Sequence, residues 1–144
     1  HVQYLPLEEL LGACHIVSLH LPVTAQTMHM ANESFFSHMR PGSILINTAR
    51  GDIVDQKALC CALESGHLAG AGLDTLSPEP VTLDNPLLGL SGEVLDRVIF
   101  SPHVAGTTDE AFRRMHATVW QNVSRLQQGG PLMNVVNHPA FVKK

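Results

Sequence analysis

The chain has 144 residues, of which 44% are apolar and 15% charged, and its net charge is −4 with histidines neutral. Such a composition buries a core of one domain's size and excludes an intrinsically disordered chain. The scattered basic residues offer no footprint for nucleic acid. No apolar run approaches the roughly 20 residues that cross a bilayer, and the polar start carries no signal-peptide pattern. Cys14, Cys60 and Cys61 are odd in number and lack C-x-x-C spacing, which argues against a disulfide framework or a thiolate zinc site. The nine histidines show no ligand spacing either, so no metal is expected, and a reducing cytoplasm is the expected location.

Strand and helix signals alternate along the chain, the mark of an α/β layer with a parallel sheet. Leu7 to Ala13 reads as a short helix, and His15 to Leu21 as a β-rich run stopped by Pro22. Asn32 can cap a helix whose Phe35, Phe36 and Met39 face inward, ended by Pro41-Gly42. Ser43 to Asn47 is a nearly continuous apolar run, typical of a strand covered on both faces. Asp55 is a suitable N-cap for a helix bearing Ala58, Leu59, Ala62 and Leu63, with Gly66 supplying the left-handed residue after it. Gly70 and Gly72 interrupt the strand Leu68 to Leu73, where another backbone is expected to approach closely. An irregular loop is expected over 75–96, then a short strand, Val98 to Phe100. Thr107 and Glu110 have the spacing of a capping box. Behind them Phe112, Met115, Val119, Val123 and Leu126 recur at steps of three and four along one amphipathic helix, closed by Gly129-Gly130-Pro131.

Four strands separated by helices build half of an open twisted sheet, and in such sheets ligands bind beyond the carboxyl ends of the strands. Arg50, Asp74 and His103 all follow strands at that end. A guanidinium at Arg50 can grip a carboxylate and polarise a neighbouring carbonyl; on the residues alone it reads equally as a surface arginine. Glu79 lies between Pro78 and Pro80, which restrict the backbone carrying it. His103 can donate and accept a proton in turn near neutral pH, and an adjacent carboxylate would orient its ring. Taken singly, Glu79 reads as a solvated loop residue, His103 as a loop histidine and Asp74 as a turn cap. Their shared position at one end of the sheet is what sets them apart.

Ile46-Asn-Thr-Ala-Arg-Gly51, Ala69-Gly-Ala-Gly-Leu-Asp74, Glu79-Pro80 and Ser101-Pro-His-Val-Ala-Gly106 follow one another in this order. Together with Leu19-His-Leu-Pro22 and the nearby Thr24 and Thr27, the series resembles the D-2-hydroxyacid dehydrogenase family over about 2–137. The resemblance implies the second half of a Rossmann-type doubly wound sheet. Residues 1–106 would be the C-terminal portion of an NAD-binding domain, and 107–144 a long helix and tail returning toward a substrate domain. It implies that Arg50 holds a small 2-oxo or 2-hydroxy acid, that His103 exchanges a proton with the carbonyl oxygen, and that Glu79 pairs with His103. Asp74, with backbone near Thr48 and Ala49, would hold the nicotinamide carboxamide. Leu21, Pro22 and Thr27 would flank the adenosine side, and Arg50, His103, Ala105 and Gly106 would complete the cofactor's surroundings. NAD is the family's usual cofactor, with NADP left open. His15 stands where the family commonly has Asp, and Leu76 where Phe is usual.

No G-x-G-x-x-G occurs in the chain, so the phosphate-binding turn of such a domain is expected outside it. The implied whole protein is an NAD-dependent oxidoreductase of which this is a fragment. A non-catalytic NAD(H)-sensing or corepressor-like protein on the same scaffold is the alternative. A sheet edge left open would favour self-association into a homo-oligomer. Isothermal calorimetry on the 144 residues alone should show weak or undetectable NAD binding, because no helix N-terminus for the pyrophosphate is expected among them; micromolar affinity would contradict this.

Overall fold

A computed structural model of the chain describes residues 2–136; the end of the tail expected over 107–144, from 137 onward, lies outside the described residues. Two compact units result, one running to His103 and a second starting at Val104. The first contains α1 (Leu7–Ala13), β1 (Ile16–Leu19), α2 (Glu33–His38), β2 (Ser43–Asn47), α3 (Gln56–Glu64), β3 (Leu68–Leu73), α4 (Gly92–Leu95) and β4 (Val98–Phe100). The strands form one parallel sheet in the order β1-β2-β3-β4.

Strand register explains the core. Val17, Leu45, Ala71 and Val98 align across the sheet, and all four are buried. Two residues further along, Leu19, Asn47 and Leu73 form a second buried row. The apolar members of these rows pack with Phe36 of α2 and Leu59 and Leu63 of α3 in one cluster. The intervening residues point the other way: Ile16 is 60% and Ile99 73% exposed. Ile44 and Ile46 of β2 are only half-buried. The expectation that β2 is covered on both faces is therefore corrected: its burial alternates. An unbroken apolar run cannot disclose on which side neighbouring elements lie.

The helix boundaries follow from their caps. Asn32 accepts a hydrogen bond from the Phe35 amide at 3.1 Å, and Phe35 meets Phe36 edge to face. Asp55 accepts from the amides of Lys57 and Ala58, and Gly66 adopts φ +74° after α3. At Gly70 a Cβ would stand 2.5 Å from the Arg97 carbonyl oxygen, the close backbone approach expected there. At Gly72 the near neighbour is instead the Ile46 side chain. Arg97 ties the start of β3 to α3, donating to the carbonyls of Leu68 and Leu63 at 2.9 and 2.8 Å.

Two further expectations are corrected. Residues 75–96 are not wholly irregular, since they contain a 3₁₀ turn at Pro86–Gly89 and the one-turn helix α4. Elements of four residues are too short to reveal a period. The second unit contains α5 (Asp109–Gln127), which is capped by Thr108, accepting from the Ala111 amide at 3.1 Å, and not by a Thr107–Glu110 box. Thr107 donates its hydroxyl to the Val104 carbonyl instead. Capping at Thr108 places both Asp109 and Glu110 in the first turn, where the helix dipole favours them. Within this unit Asn122 both donates to and accepts from the Met133 backbone, folding the segment after Gly129 back along α5. The stripe from Phe112 to Leu126 is exposed throughout. No helix of the described residues is long and apolar enough to cross a membrane.

Adjacent Cys60 and Cys61 face opposite environments on α3. Cys60 is buried and Cys61 exposed. Desolvation, reinforced by the nearby Glu64 carboxylate, pushes the Cys60 thiol up to about 11, so it stays protonated and inert. Iodoacetamide at pH 8 should modify Cys61 and spare Cys60 until the chain is unfolded, as read by peptide mass spectrometry. Equal rates at the two thiols would contradict this packing.

Candidate active site

Three strand ends and the loops leaving them supply the polar residues. β2 ends in Asn47, which is buried and satisfied locally: its side chain accepts from the Ala49 amide at 3.0 Å and donates to the Arg50 carbonyl at 2.9 Å. The resulting turn presents Thr48 and Arg50 at the surface. The Arg50 guanidinium folds onto the Ala49 carbonyl at 2.7 Å. With His20, Leu21, Pro22, Val23, Thr48, Ala49 and Asp52 it lines a cleft of about 690 Å³. Thr27 is not part of that lining. Its hydroxyl donates to the Pro22 carbonyl at 2.7 Å and accepts from the Thr24 amide at 2.8 Å, which braces the loop bearing Leu21 and Pro22.

Asp74 follows β3 directly, held by its amide to the Asn47 carbonyl at 2.9 Å. One carboxylate oxygen accepts from Ser101 Oγ at 2.6 Å and from the His103 amide at 3.2 Å. Asp74 thereby caps the turn after β4. His103 sits at φ +52°, a left-handed conformation uncommon for residues other than glycine. The hydrogen bond from its amide to Asp74 supports that backbone.

The ring of His103 meets Glu79, with Nδ1 3.0 and 3.1 Å from the two carboxylate oxygens. An ionised carboxylate only accepts hydrogen bonds, so Nδ1 carries the hydrogen and Nε2 is left for other chemistry. Asp74, Leu76, Glu79, Pro80, Val81, Pro102 and His103 line a second cleft of about 570 Å³. Arg50 lies in the first cleft and the His103–Glu79 pair in the second. Ala105 and Gly106 follow in the second unit, in an exposed turn in which the Thr107 amide donates to the Val104 carbonyl at 2.9 Å.

Sequence reasoning missed what holds Glu79 in place. Gly51, next to Arg50, is buried, and a Cβ there would lie 2.1 Å from the Leu76 carbonyl carbon and 2.5 Å from the Ser77 nitrogen. No side chain fits between these two loops. Ser77 is then gripped at every polar atom. Its carbonyl accepts from Gln56 Nε2 at 2.6 Å and Asn85 Nδ2 at 3.1 Å, its amide donates to Gln56 Oε1 at 3.4 Å, and its hydroxyl donates to Asp52. Asn85 also donates to Gln56 Oε1 at 3.0 Å and caps the Leu87 amide at 3.1 Å. Asn before Pro-Leu-Leu is a legible cap signal, but nothing in the sequence marks Gln56. Gly51→Ala should destabilise the protein by roughly 1–3 kcal/mol through overpacking and should detach Glu79 from His103. Denaturant melts and the loss of the His103 Nδ1–H signal in proton–nitrogen spectra would check both effects.

Comparison with known proteins gives a consistent picture. Residues 1–105 match the family described as D-isomer specific 2-hydroxyacid dehydrogenase, NAD binding domain. The chain is similar to a glyoxylate reductase of Korarchaeum cryptofilum, 43% identical over 136 residues, covering 94% of this chain and 40% of that protein. A D-3-phosphoglycerate dehydrogenase of Escherichia coli K12 is 39% identical over 133 residues, covering 92% and 32%. Among solved structures, the holo form of Rhodotorula graminis D-mandelate dehydrogenase superposes with a TM-score of 0.76 at 37% identity, over 89% of this chain and 36% of that one. The chain thus spans well under half the length of these relatives.

Proposed function

Because the chain belongs to the D-isomer specific 2-hydroxyacid dehydrogenase family, through its NAD binding domain, we propose that the full-length protein interconverts a small 2-oxo acid and its D-2-hydroxy acid with NAD(H). The carrying observation is the His103–Glu79 contact at 3.0 Å at the carboxyl ends of parallel strands. In this reading residues 1–106 are the later part of the nucleotide domain, and 107–144 lead toward a substrate domain.

The residues present suit the nicotinamide end and the adjoining adenosine side of the cofactor. The first cleft pairs apolar Leu21, Pro22 and Ala49 with polar Thr48, and Asp74 keeps one carboxylate oxygen without a partner among the described residues. Thr48, Ala49 and Asp74 would hold the carboxamide, with Leu21, Pro22 and the Thr27-braced loop flanking the adenosine side. Ala105 and Gly106 would pass beside the ring. NADP shares the nicotinamide that Thr48, Ala49 and Asp74 would meet. Bound cofactor supplies the hydride.

The chain's own groups handle charge and proton. Reducing a carbonyl builds negative charge on its oxygen, and the imidazolium form of His103, protonated on both nitrogens, delivers its Nε2 proton to that oxygen as the charge forms and is left as the neutral Nδ1–H ring. Glu79 accepts from Nδ1–H, fixing the tautomer that leaves Nε2 facing the substrate and stabilising the ring when it is charged. Arg50 swings from the Ala49 carbonyl to hold the acid's carboxylate in two parallel bonds. In the oxidation direction His103 takes the proton back.

His103→Gln in the full-length protein should lower kcat for glyoxylate, hydroxypyruvate or pyruvate by about 10²-fold or more, with NADH affinity retained. Undiminished turnover removes His103 from the reaction. Tight NADH binding by the unaltered protein with no turnover across a broad panel of 2-oxo acids would point instead to a nucleotide-sensing role.

A further inference from the structure

Glu79 is well exposed, with 41% of its side chain accessible, and its hydrogen-bond partner among the described residues is His103. A carboxylate on a surface loop has many positions open to it. An exposed ion pair by itself is too weak to select one of them. The segment carrying Glu79 must therefore be held elsewhere, and the holding groups lie at its two ends. Ser77, two residues before Glu79, and Asn85, six residues after, are tied to each other through the Ser77 carbonyl. Both are tied to Gln56 in the first turn of α3, through three hydrogen bonds of 2.6 to 3.4 Å. Asn85 is 4% exposed, so its amide has no water to fall back on.

We propose that Gln56 and Asn85 are positioning residues for proton transfer: their side-chain amides close the 77–85 loop onto α3 and so hold Glu79 against His103. The inference rests on the reading of His103 and Glu79 given above. Neither amide touches the clefts, so neither acts on substrate or cofactor directly. Both act only through Glu79, and that restriction makes them testable. Asn85→Asp keeps the oxygen that caps Leu87 while removing the two donations to Ser77 and Gln56. Gln56→Leu removes both ends of the other link at nearly the same volume.

The experiment is a double-mutant cycle in the full-length protein, with kcat, KM and NADH affinity measured for Gln56→Leu, Asn85→Asp, Glu79→Gln and their combinations. Either clamp variant alone should lower kcat about tenfold, with NADH affinity changed less than about twofold, because only the geometry of the proton donor is lost. Added to Glu79→Gln, neither should lower kcat further. Clamp effects that persist at full size in the Glu79→Gln background overturn the positioning inference while leaving the function intact. So does an equal loss of turnover and of NADH binding. A Glu79→Gln protein with unaltered kcat removes instead the assigned role of Glu79, and the proposal resting on it. Should Gln56→Leu fail to fold, the cycle is decided by Asn85→Asp alone, read also by its Nδ1–H signal from His103. A signal of unchanged intensity there, with unchanged kcat, overturns the proposal.

Discussion

Gly51 and the Leu76–Ser77 peptide approach so closely that the rest of the site depends on the missing side chain between them. The loop leaving β2 and the loop leaving β3 are thereby brought into backbone contact, and Ser77 falls within reach of Gln56, Asp52 and Asn85. Magnitudes show why such anchoring is needed. An exposed ion pair such as His103–Glu79 contributes about 0–1 kcal/mol, whereas ordering each loop residue costs roughly 1–2 kcal/mol. The pair cannot organise its own loop. A set of buried or half-buried amide hydrogen bonds, expensive to leave unmade, can do so.

His103 is held twice, by two different carboxylates. Asp74 takes its backbone amide and the neighbouring Ser101 hydroxyl, supporting a left-handed φ, while Glu79 takes the ring. Backbone and side chain are thus restrained from two points of the one segment that follows β3, Asp74 at its start and Glu79 beyond Ser77. The bland reading of Asp74 as a turn cap and the reading of it as a ligand residue are compatible, because the two bonds it makes fall on one of its oxygens. The other oxygen is the one that the proposed cofactor contact would use.

Sheet register sets where these loops begin. The rows Val17-Leu45-Ala71-Val98 and Leu19-Asn47-Leu73 lock the strands so that Asn47 and Leu73 end level with one another. Asp74 and Thr48 therefore emerge side by side. A slip of one residue would turn both buried rows to the opposite face, and the apolar packing against α2 and α3 forbids it.

Much of this was legible from residue order. The bounds of α1, β2, β3 and β4, the caps Asn32 and Asp55, and the places of Arg50, Asp74 and His103 just after β2, β3 and β4 follow from local chemistry and periodicity, which act over a few residues. The family, too, was carried by short ordered motifs. What the sequence could not disclose involves partners distant along the chain. The half-open second face of β2, the one-turn helices inside 75–96, the space between Gly51 and Leu76, and the Gln56–Ser77–Asn85 clamp were decided only in three dimensions. Hydrogen bonds between residues 21 or 29 positions apart leave no period and no composition behind. They exist because packing brings the groups together, and burial then makes leaving them unpaired too costly.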